Sequence, residues 1–145
     1  MGYRRKAREC ALQMLYELDM TDGDPASVRK AYWGDNQVPE AVRDYADRLL
    51  LGAEEHRADI DRHIEASSQN WRIERMGRVD RNILRMGVYE LLFERDTPEP
   101  VVIDEAIEIA KKYSTEDAAH FVNGVLDAVR KTQTGNRETR RDPAG

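Results

Sequence analysis

The stretch VDRNILRMGVYELLF, residues 79–93, decides the fold of this chain of 145 residues. Its apolar side chains lie on every side of a helix rather than along one stripe: Ile83, Leu84, Met86, Val88, Tyr89, Leu91, Leu92 and Phe93. A helix that is apolar all round is normally buried in the middle of a domain. We therefore expect this helix at the centre of the core. Glu90 lies inside the same run, so its carboxylate should need a hydrogen-bond partner.

Helical periodicity continues on the amino-terminal side, and no segment alternates as a strand does. A first helix with one apolar face should end at the turn-forming residues 21–25, and a short helix should follow over residues 26–33. Pro39 is suited to the first position of a third helix. The apolar stripe that follows continues without interruption to Ile64, which predicts one long rod that Gly52 can bend.

On the carboxyl-terminal side, the prolines within residues 97–100 should end the central helix. A sixth helix is predicted over residues 101–113. Ser114, with Asp117 three residues later, resembles a capping box that opens the last helix. The polar residues after Lys131 predict a disordered tail.

The predicted fold class is therefore all-α, with about seven helices in a single domain over residues 1–131 and a basic tail over residues 132–145. Hydrophobic residues make up 40% and charged residues 35% of the chain, which fits a folded domain with an ionised surface. The only cysteine, Cys10, rules out an internal disulfide, fits a reducing cytosol and should be a small buried residue. No apolar run predicts a membrane span or a secretory signal. We expect a cytoplasmic protein that does not contact membranes.

Charge is distributed unevenly along the chain. The net charge is −5, but residues 1–8, 72–85 and 130–142 carry +4, +3 and +3, so the remainder carries −15. The densest cluster is in the first helix: Arg4, Arg5, Lys6 and Arg8. Positive side chains bind phosphates and release counterions from nucleic acids. Cations oppose the dipole at a helix amino terminus by roughly a few tenths of a kcal/mol each, so the cluster favours a polyanionic partner over a role in solubility alone.

Two further features bear on a nucleic-acid surface. Tyr16 lies in line with Arg5 on the first helix, where it can stack on an unpaired base. Packing of Tyr16 against another helix is the alternative, and it is favoured when Tyr16 is considered alone. Arg78, Arg81 and Arg85 form one ridge by their spacing, which either extends the RNA surface or pairs with the acidic remainder of the chain.

No pattern of catalytic or metal-ligating residues emerges. His56 and His63 share a helix face, but no third ligand stands at metal spacing, so both are expected at the edge of the core. Asp104 and Glu108 lie on the polar face of an amphipathic helix, which favours solvated charge over paired catalytic carboxylates. No glycine-rich phosphate loop is present. We expect a non-enzymatic protein with no metal and no cofactor.

Three segments resemble the NusB family of transcription antitermination factors. They are Arg4–Ala11 with Leu15 and Tyr16, then Val79–Leu91, and finally Asp104–Glu108 continued by Phe121–Asp127. The last two together are highly specific, and the resemblance extends over nearly the whole chain. It implies two groups of three helices plus an extra helix.

The resemblance also implies binding to the boxA element of nascent ribosomal RNA leaders, together with the small-subunit ribosomal protein NusE, in a complex on RNA polymerase. Carried over by motif, the RNA-binding residues would be Arg4, Arg5, Lys6, Arg8, Tyr16, Asp117 and Phe121. The protein-partner face would include Asp80 and Arg85. Asp117 is anionic, so it would have to accept a hydrogen bond from a base amino group rather than bind phosphate. Lys6 stands where an arginine is common, which keeps the charge but loses a bidentate phosphate contact.

Two alternative functions remain open. The domain also resembles the amino-terminal part of ribosomal RNA cytosine methyltransferases, which would make this chain a stand-alone RNA-binding relative. The other alternative is a purely protein-binding helical module. The oligomeric state is open as well, between a monomer and a homodimer that hides the basic helix.

Overall fold

A computed structural model describes residues 2–141 of the chain, with side chains up to residue 133. This described part contains seven α-helices and one turn of 3₁₀ helix at Ile73–Arg75. The helices are α1 (Gly2–Thr21), α2 (Pro25–Asp35), α3 (Glu40–Glu55), α4 (Arg57–Ser67), α5 (Arg78–Phe93), α6 (Glu99–Tyr113) and α7 (Glu116–Arg141). The predicted all-α fold of about seven helices is confirmed. No helix within residues 2–141 has both the length and the apolarity that crossing a membrane requires.

The helix α5 is the centre of the core, as residues 79–93 predict. It packs against α1, α3, α4, α6 and α7, and every residue from Asn82 to Leu91 is buried. Burying one large apolar side chain contributes about 1.5–3 kcal/mol, so this helix anchors the domain. The prediction is wrong only in the last turn, where the helix leaves the core: Leu92 is half-buried and Phe93 is 41% exposed.

Two groups of three helices share this core. The helices α1, α2 and α3 contact one another, and so do α5, α6 and α7. The extra helix, α4, packs against α5 and α7. The first group joins the second where α1 and α3 pack on α5. The arrangement implied by the family resemblance is therefore confirmed.

The predicted long rod is divided into α3 and α4 at His56 and is not bent at Gly52. His56 leaves the helical conformation (φ −105°, ψ 18°), and its imidazole stacks on Phe93 with ring centroids 4.1 Å apart. An apolar stripe cannot reveal this division, because both helices bury apolar residues at helical spacing. Gly52 instead permits close packing, since a Cβ at this position would overlap the ring of Tyr89.

The start of α7 is capped by Thr115 rather than by Ser114. The backbone N–H of Ala118 donates to Thr115 Oγ1 at 3.0 Å. Ser114 Oγ donates instead to Asp80 Oδ1 on α5 at 2.7 Å. The predicted capping box of Ser114 and Asp117 is therefore wrong by one residue, because a tertiary contact takes the hydroxyl of Ser114.

The helix α7 continues into the segment predicted to be a disordered tail. The helix runs to Arg141, while the side chains of residues 134–141 and all of residues 142–145 lie outside the described residues. The disordered basic tail over residues 132–145 therefore stays a prediction.

Candidate nucleic-acid interface

Arg8, one of the four predicted cations of α1, lies in the interior, where its side chain is only 3% exposed. Its Nε and Nη2 donate to the two carboxylate oxygens of Glu90 at 2.8 and 2.9 Å, and the hydroxyl of Tyr45 donates to the same carboxylate at 2.7 Å. Glu90 thus has the partner that its buried position requires. Burial lowers the pKa of Arg8, but the hydrogen bonds to Glu90 and the charge of Glu90, with smaller contributions from Tyr45 and Glu105, together raise it above its ordinary value. In this conformation Arg8 does not present its guanidinium to an external phosphate.

Arg4 is half-buried at the edge of the same cluster. Its Nη1 donates to Thr97 Oγ1 at 2.6 Å, and its guanidinium lies 4.9 Å from the centroid of the Tyr45 ring. A hydrogen bond to the hydroxyl of Tyr3 raises the pKa of Arg4. These contacts hold Arg4 in place and leave it partly accessible.

Arg5 and Lys6 are the exposed cations of the cluster. Arg5 donates through Nε and Nη2 to both carboxylate oxygens of Glu105 on α6, each at 2.8 Å. This pairing raises the pKa of Arg5 and lowers that of Glu105, while the Arg5 side chain stays 52% exposed. Lys6 makes no hydrogen bond or ion pair with any side chain in the described part of the chain. A ligand can therefore reach Lys6 without breaking an internal contact.

Tyr16 is half-buried beside a groove of about 330 Å³. The groove is also bordered by Leu12 on α1, Val79 on α5 and Tyr113 on α6. Tyr16 thus borders an open groove between α1, α5 and α6. Its stacking on a base and its packing against another helix both stay predictions.

A second groove brings Asp117 and Phe121, one turn apart on α7, together with Asp80 on α5, which is distant in sequence. It measures about 390 Å³ and is also lined by Trp71 and Arg75. Asp117 is exposed, Phe121 is half-buried against the core, and Trp71 is 55% exposed. Two aromatic rings beside an arginine can stack on unpaired bases and neutralise a phosphate.

Trp71 and Arg75 are candidate functional residues that sequence reasoning missed. The sequence offered one indication of them: Trp71 is a large aromatic residue that belongs to no apolar helix face. Gln69 and Asn70 have left-handed backbone conformations, with φ of 57° and 64°, and they turn the chain between α4 and Trp71. Residues other than glycine seldom adopt this conformation, although asparagine tolerates it well.

The two residues predicted for the protein-partner face lie in different environments. Asp80 is half-buried in the first turn of α5 and borders the 390 Å³ groove. Arg85 is buried: its Nε and Nη2 donate to Asp61 at 2.9 and 3.1 Å, and its Nη1 donates to Asp19 at 3.2 Å. Arg85 therefore holds α1 and α4 against α5 and does not face solvent.

The three arginines of the predicted ridge, Arg78, Arg81 and Arg85, also lie in different environments. Arg81 donates through Nε and Nη2 to Asp19, both at 2.7 Å. The Arg81 guanidinium holds the pKa of Asp19 well below its usual range. Arg81 and Arg85 thus pair with acidic residues of the chain, and Arg78 is the exposed member of the ridge.

Sequence similarity to known proteins identifies one family. The model of the NusB family matches residues 5–131. The transcription antitermination protein NusB of Trichlorobacter lovleyi is 50% identical over 127 residues, which cover 88% of this chain and 89% of that protein. The protein of the same name from Geobacter sulfurreducens is 49% identical over 133 residues, which cover 91% and 96%.

Solved structures give the same result. A crystal structure of the antitermination factors NusB and NusE in complex with double-stranded RNA has a TM-score of 0.84 and 36% identity, covering 91% of this chain and 98% of that one. The NusB structure from T. maritima has a TM-score of 0.82 and 39% identity, covering 88% and 90%. Because the match in sequence and in fold extends over the whole helical domain, the chain belongs to the NusB family.

Proposed function

We propose that this chain is a transcription antitermination factor that binds boxA RNA of ribosomal RNA leaders. With the ribosomal protein NusE, it would join the antitermination complex on RNA polymerase, and it would therefore act in the cytoplasm. The family consists of non-enzymatic antitermination factors, so the protein acts by binding.

One observation carries the RNA-binding part of this proposal. An acidic protein of net charge −5 exposes Arg5 and Lys6 in the first turns of α1. Local positive charge on such a surface suits a polyanion, and a similar protein has been solved with RNA and NusE. The exposed cations of α1 and the RNA complex of a similar protein therefore both support RNA binding.

The proposed RNA surface divides into phosphate-binding and base-binding residues. Arg4, Arg5 and Lys6 would bind phosphates. Tyr16 and Phe121 would stack on unpaired bases, and Asp117 would accept a hydrogen bond from a base amino group. Arg8 was included by its motif, but its buried pairing with Glu90 assigns it a positioning role beneath this surface.

The proposed partner face centres on Asp80, which borders the same groove as Phe121 and Asp117. RNA and NusE would then meet at adjacent surfaces. Arg85 would support the partner face indirectly, because its hydrogen bonds to Asp61 and Asp19 fix the orientation of α5 against α4 and α1.

The substitution Lys6→Ala tests the RNA surface, with Lys30→Ala on α2 as the control. Both lysines are exposed, so neither change should affect folding. For a single-stranded boxA oligonucleotide, Lys6→Ala should weaken binding and reduce the slope of log K against log salt concentration by about 0.7, the value for one phosphate contact. Fluorescence anisotropy over a salt series measures both quantities. Equal affinities and slopes for the two variants would contradict the proposed surface.

A further inference from the structure

Glu105 occupies the position that an RNA phosphate would take on Arg5. Its two oxygens accept from Nε and Nη2 of Arg5 at 2.8 Å each, which is the bidentate edge that a guanidinium also offers to phosphate. One edge cannot serve both anions with the same two donors. RNA binding through this edge of Arg5 therefore requires an exchange of partners.

Glu105 is not needed to neutralise its other cationic neighbour. Arg8 Nη1 lies 3.8 Å from Glu105 Oε1, but Arg8 already has the carboxylate of Glu90. The Glu105 side chain is 19% exposed, so it faces the surface beside Arg5 rather than the core. An open groove of about 420 Å³ is lined by Arg5, Lys6 and Glu105, which leaves room for a ligand at this ion pair.

We infer that Glu105 competes with RNA phosphate for Arg5 and thereby lowers the RNA affinity of the free protein. This inference rests on the proposed RNA-binding function. Glu105 would act as an affinity-setting residue on α6 that need not touch the RNA itself.

The competition should change how strongly RNA affinity depends on salt concentration. A phosphate that binds a free arginine releases a condensed counterion from the RNA. When the phosphate must displace Glu105, the freed carboxylate attracts a cation in return. Arg5 should therefore contribute little to the salt dependence of the wild-type protein, and more once Glu105 is neutral.

Glu105→Gln tests this inference, with Glu108→Gln as the matched control. Both variants remove one negative charge from α6, but Glu108 pairs with Lys111 at 3.7 Å and not with Arg5. Relative to Glu108→Gln, we expect Glu105→Gln to bind a boxA oligonucleotide roughly two- to five-fold more tightly, the range that an exposed ion pair allows. Its salt slope should be steeper by about 0.7.

A second pair of variants removes the cation. In an Arg5→Ala background, Glu105→Gln and Glu108→Gln should have equal effects on RNA affinity, because the guanidinium for which Glu105 and phosphate compete is gone. Equal or weaker binding by Glu105→Gln in the wild-type background would overturn the inference and leave RNA binding intact. Absence of RNA binding by the wild-type protein would overturn the proposed function and this inference together.

Discussion

At the scale of single residues, Arg5 and Arg8 show how environment separates identical side chains. They are three residues apart on α1, yet their side chains are 52% and 3% exposed. Arg5 pairs with Glu105 at the surface, where solvent screens the interaction. Arg8 pairs with Glu90 in the interior, where the loss of one partner leaves a charge that water cannot reach. One arginine is therefore available for binding and the other supports the fold.

The substitution Glu90→Gln should destabilise the protein by about 3 kcal/mol or more, because it leaves the buried guanidinium of Arg8 without a counter-charge. Urea unfolding monitored by circular dichroism measures this change. Asp59→Asn is the control, since the pair of Asp59 with Arg62 lies at the surface and should change stability little. A loss for Glu90→Gln no larger than that of the control would refute the structural role of the buried pair.

At the scale of secondary-structure elements, the contact between α3 and α5 depends on a glycine. A Cβ on Gly52 would overlap the ring of Tyr89. That ring has little freedom to move, because its hydroxyl donates to Glu94 at 2.9 Å and the ring stacks on Phe93 with centroids 5.4 Å apart. Gly52 therefore sets how closely the first helix group approaches the second.

Gly52→Ala should lower the free energy of unfolding by about 1–3 kcal/mol, the usual cost of overpacking a core. Gly34→Ala on α2 is the matched control, since no atom lies within 4 Å of its Cβ position. An alanine in an open helical position should be neutral or stabilise by roughly 0.5–1 kcal/mol. Thermal unfolding of both variants measures this difference in stability, and similar melting temperatures would contradict the proposed close contact.

At the scale of the whole molecule, ion pairs join helices from both groups. Asp19 on α1 accepts from Arg81 and Arg85 on α5, and Arg85 also donates to Asp61 on α4. Much of the positive charge in residues 72–85 is thus neutralised inside the chain. The charge that remains exposed in α1 gives the acidic molecule its basic surface.

These pairs predict an acid-sensitive fold. The pKa of Asp19 is depressed by Arg81, so its stabilising effect is present above the unfolded-state value of about 4 and is lost as the pH falls through the folded-state value. Asp19→Asn should therefore be less stable than the wild type near neutral pH, and this difference should shrink below about pH 4.

Urea unfolding of both proteins at several pH values measures that difference. The control Asp22→Asn lies in the exposed turn after α1 and should match the wild type near neutral pH. A gap between Asp19→Asn and the wild type that stays constant from neutral to acidic pH would exclude the charged pair as its cause.

The sequence by itself determined the all-α class, the central place of α5 and the family. Apolar periodicity is a local property, and a helix that is apolar on all sides has only the interior of a domain as a stable location. The need of Glu90 for a partner also followed from its place within such a run.

Only the tertiary structure decided which cations face solvent, where the long apolar stripe divides and how Trp71 joins Phe121 in one groove. The reason is the distance along the chain between the groups concerned. Glu90 lies 82 residues after Arg8, and Glu105 lies 100 residues after Arg5. No local pattern records such pairs, because their energy depends on the burial that packing of the helices creates.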